Sequence, residues 1–241
     1  MAENSKEHED APLLREDGNT NALHLITFIN KIPVNHDTRI FRFALPSPNQ
    51  VLDRKGRSKV RVTGVPVGQH VGLSAQLGPA GEEVVYFPCP EFPKGGLMTQ
   101  HLERMREGDA INLRGPRGKL QYLGRGRFLL RADKDKDAQP SALEVHRVNL
   151  VAGGSGLAPM LQLLRAEARD SDCAIETSLL FANRHWQYDE GHITEEMLRE
   201  HLFPPSEHTL TLMCGRKAMT RGLVQPLLES IGHDPSRIVK Y

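Results

Sequence analysis

The sequence predicts two domains, a small antiparallel β-barrel or sandwich followed by an α/β domain built on a parallel sheet. Three observations predict it. From Ala22 to about Arg131 the chain is a series of short apolar stretches cut by Gly and Pro, the punctuation of strands. After Leu143 the order becomes strand, glycine turn, helix, strand, which calls for parallel strands joined by right-handed crossovers. The 241 residues, 39% apolar and 25% charged, suffice for one large or two small domains at roughly 100–200 residues each.

Residues 1–20 carry eight charged side chains and little to bury, so a mostly disordered arm is expected there. Strands are expected in LHLITFI, RIFRFAL, PVGQHVGL, VVYF, AINLRGPRG and RFLL. In Thr38-Arg39-Ile40-Phe41-Arg42-Phe43 apolar and polar residues alternate, as on a half-buried strand. After Gly95-Gly96, Met98, Leu102 and Met105 fall at i, i+4 and i+7, one stripe of a helix that stops at Gly108. Asp53–Thr63 and Ala132–Ser141 read as loops, the second as an inter-domain linker. The boundaries drawn are 1–20 for the arm, 21–135 for the first domain and 136–241 for the second. The second domain is expected as strand Val148–Ala152, turn Gly153–Gly156, helix Pro159–Ala168, strand Ser178–Ala182 and helix Thr194–His201. Strand Thr209–Met213, ending at Cys214-Gly215, helix Arg221–Ile231 and strand Ile238–Tyr241 complete it.

Lys+Arg 31 against Asp+Glu 30 leaves a formal charge of +1, which gives no electrostatic footprint for nucleic acid. No apolar run exceeds four residues, far below the ~20 of a spanning helix, so no transmembrane segment is expected. The acidic, polar start MAENSKEHED resembles neither a secretory signal nor a mitochondrial presequence. Cys89, Cys173 and Cys214 are an odd number without metal-type spacing, which suggests a reducing, cytoplasmic setting. No metal site is expected, because the eleven histidines form no H-x-x-x-H or H-E-x-x-H pair. With no G-x-S-x-G, a hydrolase has no support.

Leu150-Val-Ala-Gly153-Gly154-Ser155-Gly156-Leu-Ala-Pro159-Met160 carries the strongest local signal. An apolar strand, glycines and a Pro near a helix start let backbone N–H groups face a phosphate where the helix dipole favours negative charge. A tight strand-to-helix turn needs glycine whatever it binds, so a plain structural turn stands beside that reading. Leu210-Thr-Leu-Met-Cys214-Gly215 is a second strand with glycine at its carboxyl end, where ligands sit in open α/β sheets. Cys214 taken by itself reads more readily as a small buried residue. Thr99, at a third glycine-led helix start, can meet an anion or simply cap.

Taken in order, these segments resemble the NADH-cytochrome b5 reductases of the ferredoxin reductase-like flavoproteins. The resemblance rests on His36–Pro48, Pro66-Val67-Gly68-Gln69-His70, Phe92–Glu103, Gly108-Asp109 and Arg114-Gly115-Pro116-Arg117-Gly118. It continues through Gly153–Gln162, Leu179–Asn183, Leu212-Met213-Cys214-Gly215 and the C-terminal Tyr241. It implies an FAD-binding β-barrel followed by an NADH-binding α/β domain with a parallel sheet. Electrons would pass from NADH through FAD to cytochrome b5 or a similar haem protein. Phe87, Met98 and Thr99 would lie along the flavin and its phosphates, and Gly153, Gly154, Ser155 and Gly156 would cradle the nicotinamide nucleotide. Cys214, the residue placed at the reaction, would sit beside the nicotinamide with Gly215 and Met219, and Tyr241 would close the flavin side. The implied location is cytoplasmic, with the surface of the endoplasmic reticulum or outer mitochondrial membrane as a peripheral site.

The chain departs from the family pattern in ways that truncate both domains. The strand bearing Arg-x-Tyr-Thr/Ser, which in the family meets the FAD phosphate and isoalloxazine, is absent between Leu77 and Val84, and the family's Lys in Gly-Gly-Lys-Met-Ser is Leu97. After Asn183 the acidic selector of NADH is missing, and Arg216-Lys217-Ala218-Met219 replaces a proline run. A non-catalytic or impaired relative that has lost tight FAD binding is therefore the alternative reading.

Overall fold

The computed structural model describes residues 23–34, 39–45, 51–52, 58–59, 65–77, 82–86, 96–131, 139–183 and 191–241. The 1–20 arm, Phe87 and most of the Asp53–Thr63 and Ala132–Ser141 loops lie outside them. The chain divides into two compact units, Met1–Val65 with His70–Arg117, and Pro66–Gln69 with Gly118–Tyr241.

The first unit is an antiparallel sheet. Its strands are β1 (His24–Pro33), β2 (Arg39–Ala44), β5 (His70–Leu77), β6 (Glu82–Tyr86) and β7 (Ala110–Arg117), in the order β2-β1-β7-β5-β6. Val51–Leu52 and Ser58–Lys59 form a separate two-residue pair, β3 and β4. The alternation read in β2 is real: Phe41 and Phe43 turn inward, and Ile40 is 49% exposed. Phe43 meets Phe28 of β1 edge to face at 5.6 Å, a favourable aromatic geometry. Helix α1 (Leu97–Arg104) lays the expected stripe, Met98, Leu102 and Met105, into a core with Ile26, Phe28, Ile111 and Leu113. β5 passes to β6 through only residues 78–81, with Leu77 opposite Glu82.

The second unit holds two sheets. β8 (Leu120–Gly124), β9 (Arg127–Leu130) and β10 (Ser141–Glu144) form an antiparallel meander. β11 (Arg147–Gly153), β12 (Glu176–Ala182), β13 (Thr209–Cys214) and β14 (Ile238–Lys240) form a wholly parallel sheet in the order β12-β11-β13-β14. Val148 to Ala152 and Thr209 to Met213 are buried throughout, as befits strands covered on both faces. On one face Leu150 and Leu212 pack with Met160 and Leu163 of α2 (Leu157–Glu167). On the other, Val151 and Met213 pack with Leu198 of α3 (Glu195–His201) and with Leu228. Buried Asn149 donates to the Phe203 carbonyl at 3.0 Å and accepts the Phe203 N–H at 2.8 Å, which fixes the chain leaving α3.

Two expectations are corrected. Leu120–Gly124 and Ser141–Glu144, assigned to no strand from the sequence and with Ser141 placed at the end of the linker, are strands, because each pairs with β9. The helix expected over Arg221–Ile231 starts earlier and is interrupted: α4 (Lys217–Met219) leads into a π-helical turn, Thr220–Val224, then α5 (Gln225–Ser230). Pro226 has no N–H and its ring crowds the carbonyl four residues back, which accounts for the irregular turn preceding α5.

Candidate functional site

Strand register levels the carboxyl ends of the parallel sheet, since Gly153 is opposite Ala182 and Ala152 is opposite Cys214. Gly154–Gly156 then make one 3₁₀ turn into α2, with no side-chain cap at the entry. That leaves first-turn backbone N–H groups free for an acceptor. Gly154 has φ +55 and open space where a Cβ would stand; Gly154 and Ser155 are exposed. At Gly156, by contrast, a Cβ would lie 2.2 Å from the Cys214 carbonyl oxygen. At Gly153 it would lie 2.5 Å from Met219 Sδ, and at Gly215 2.8 Å from Met219 Cε. Gly153, Gly156, Cys214, Gly215 and Met219 thus form one close-packed group, and α4 is the element that delivers Met219 to it.

Tyr241 joins that group from the last strand. Its N–H donates to the Met213 carbonyl at 3.0 Å, and its ring packs on the same apolar cluster as Cys214. The hydroxyl is buried without a hydrogen-bond partner among the described residues. Burial first, and then Cys214, raise its ionisation above the ordinary tyrosine range.

Sequence reasoning assigned no role to Gly68 and Gln162, although both lie in the segments that carry the resemblance. The Gly68 N–H donates to Gln162 Oε1 at 3.0 Å, and Gln162 Nε2 donates to the Gln69 carbonyl at 3.3 Å. This clamps the 66–69 turn onto α2. Gly68 has φ +91, and a Cβ there would be 2.9 Å from the Leu120 carbonyl and 3.5 Å from the Tyr241 hydroxyl. Only a glycine with neighbours this close reveals the contact, and spacing alone does not.

Met98 and Thr99 belong to the first unit. The Met98 side chain is 2% exposed and committed to the core, while Thr99 is exposed. α1 starts at Gly96 without a side-chain cap, and its first amide bond runs from Gln100 N to the Gly96 carbonyl at 3.0 Å. The N–H groups of Leu97, Met98 and Thr99 precede that bond and are the ones an anion could take. Leu97 is 58% exposed. Phe87 lies outside the described residues.

An antiparallel β domain ahead of a parallel α/β domain, with a glycine turn and a Cys-Gly pair at level strand ends, is an arrangement that fits a flavin- and nicotinamide-dependent oxidoreductase. The chain matches an oxidoreductase FAD-binding domain over residues 25–122 and an oxidoreductase NAD-binding domain over residues 150–185. It is 36% identical to rat NADH-cytochrome b5 reductase 3 over 266 aligned positions, covering 88% of this chain and 84% of that one. Against rat NADH-cytochrome b5 reductase 2 the identity is 34%, with 91% and 95% covered. The chain belongs to the NADH-cytochrome b5 reductase family, whose cofactors are FAD and NADH. In fold it resembles the cytochrome b5 reductase domain of Ulva prolifera nitrate reductase, with a TM-score of 0.76 at 23% identity, covering 96% of this chain and 100% of that one. The 266 aligned positions exceed this chain's 241 residues by 25, so rat reductase 3 carries at least that many residues without a counterpart here. Among the described residues no helix is long and apolar enough to cross a membrane.

Proposed function

We propose that this chain passes electrons from NADH through FAD to cytochrome b5 or a similar haem protein. The observation that carries the proposal is the convergence of Gly153, Gly156, Cys214, Gly215 and Met219 at the ends of β11 and β13. When bound, the cofactors supply the hydride and single-electron chemistry, and the protein supplies orientation and electrostatics. Gly154, Ser155 and Gly156 hold the dinucleotide phosphates with backbone N–H groups. Cys214, Gly215 and Met219 fix the nicotinamide by contact. Cys214 positions and does not exchange a proton, and the unpartnered Tyr241 hydroxyl marks a polar atom that a bound cofactor can satisfy. Residues 21–135 and 136–241 are the proposed FAD and NADH domains, and the cytoplasmic face of the endoplasmic reticulum or outer mitochondrial membrane is the proposed location.

The FAD side fits less well. The amides of Leu97, Met98 and Thr99 are available to the phosphates, but the connection from β5 to β6 spans only residues 78–81. No strand bearing Arg-x-Tyr-Thr/Ser can stand there, and Leu97 supplies no cation. A charge-assisted contact is typically worth about 1.5–3 kcal/mol, so its loss weakens binding roughly 10- to 200-fold. This observation favours a second reading, a family member impaired in FAD binding. Flavin absorbance at known protein concentration separates the two. Stoichiometric FAD that survives extensive dialysis supports the reductase and refutes the weakening. Flavin lost on dialysis, with Leu97→Lys raising FAD affinity about tenfold, supports the impaired form.

A further inference from the structure

We propose a second ligand site, for an organic phosphate, at the opposite end of α2 from the glycine turn. A cavity of about 390 Å³ opens there, lined by Val67, Tyr122, Leu123, Arg125, Arg127, Arg169 and Asp170. Its volume falls in the range of small-molecule sites, and it is open to solvent over much of its surface. α2 has 11 residues, so roughly 16 Å of helix separates the cavity from Gly156.

Charge and backbone both single it out. Asp170 is already engaged: it accepts the Arg125 N–H at 2.7 Å and the Tyr122 hydroxyl at 3.2 Å on Oδ2, and the Asp172 N–H at 3.3 Å on Oδ1. The Arg125 amide, followed by the other two donors, keeps its carboxyl below the usual range, so it fastens the turn as a carboxylate. Asp172 pairs with the Arg125 guanidinium at 2.6 Å. The guanidinium groups of Arg127 and Arg169 have no hydrogen-bond or ion-pair partner among the described residues, and both residues line the cavity. Three guanidinium groups against two occupied carboxylates leave an excess positive charge beside an apolar wall of Val67 and Leu123. Guanidinium forks match phosphate oxygens in pairs.

The turn between β8 and β9 places Arg125 at φ 53, flanked by Gly124 at φ 88 and Gly126 at φ 72. A two-residue hairpin of this kind prefers Asn, Asp or Gly at its first position. Gly126 is imposed by packing, since a Cβ would stand 2.5 Å from the Val145 carbonyl. Arg125 occupies the position where such a turn prefers Asn, Asp or Gly, and it is among the residues that line the cavity.

Phenyl phosphate titrated into the full-length chain, followed by amide chemical shifts, tests the site. The expected result is saturable shifts at Gly124, Arg125, Gly126 and Asp170, with phenyl phosphate binding more tightly than inorganic phosphate. Arg127→Ala and Arg169→Ala should each weaken binding about tenfold while leaving the melting temperature unchanged, and the same shifts should persist in Gly154→Val. Shifts confined to Gly153–Gly156 or to the start of α1, equal affinity in the double arginine variant, or equal binding of inorganic and phenyl phosphate would each overturn the proposal.

Discussion

Replacing Gly154 by Val separates a nucleotide cradle from a plain turn. Gly154 sits at φ +55, and a Cβ there meets nothing within 4 Å among the described residues. The folded protein therefore bears only the left-handed backbone penalty, about 1–2 kcal/mol for an L-residue. For a chain of this length that lowers the melting temperature by about 2–8 °C. Phosphate binding responds differently, because the added methyl groups occupy the open space through which a phosphate must approach. Losing one or more charge-assisted N–H contacts, at about 1.5–3 kcal/mol each, raises the NADH dissociation constant about 10- to 200-fold. Urea unfolding would establish that the variant is folded, and calorimetry would give its affinity. Gly222→Ala serves as the control, since a Cβ there has its nearest neighbour at 3.9 Å and no positive φ is involved. A folded Gly154→Val protein that binds NADH as tightly as the parent refutes the cradle.

Three further outcomes are expected. Cys214→Ala should lower NADH–ferricyanide turnover through misplacement of the nicotinamide and leave the shape of the pH profile unchanged; a lost ionisation would instead reveal thiolate chemistry. Asn149→Leu removes both bonds to Phe203 and leaves its N–H and carbonyl unpaired, which should cost about 2–4 kcal/mol in urea unfolding; an unchanged midpoint contradicts the role given to Asn149. Burial holds His233 below its usual value of 6.5, so the unfolded chain takes up a proton first. Stability present above pH 6.5 should fall as pH drops through that value, and His233→Phe should flatten that slope, leaving the similarly lowered His70 to supply what remains.

Local periodicity made much of this architecture legible. The stripe Met98, Leu102, Met105 and the pair Phe41, Phe43 each recur at the right interval; the stripe is buried and the pair packs, partly buried, against the same core. The apolar text of Val148–Ala152, interrupted only by Asn149, likewise identified a strand. Ser141–Glu144 could not be read this way: its residues are mostly exposed, and only pairing with β9 makes it a strand. Leu120–Gly124, short and closed by the glycines at 118 and 124, has Leu120 and Tyr122 in the core, and it too is made a strand by pairing with β9. The grouping of Gly153, Gly156 and Met219 depends on backbone approach between distant parts of the chain, which no local pattern encodes. The family resemblance supplied those names but also assigned Met98 to the flavin, whereas its side chain fills the core and leaves only its amide for a ligand.

The position of β11 also governs when the second unit can form during synthesis. Its neighbours come late: Arg147 aligns with Glu176 and Thr209, so its second edge waits for a strand 62 residues downstream. At about 5–20 residues per second, the central strand spends roughly 3–12 s on the ribosome with one face and one edge unsatisfied. Non-local pairing of this kind slows folding and lengthens exposure to aggregation. The yield of active protein in a cell should therefore respond to translation rate and chaperone supply at Val148–Ala152 well before any change at the ligand-binding residues is felt.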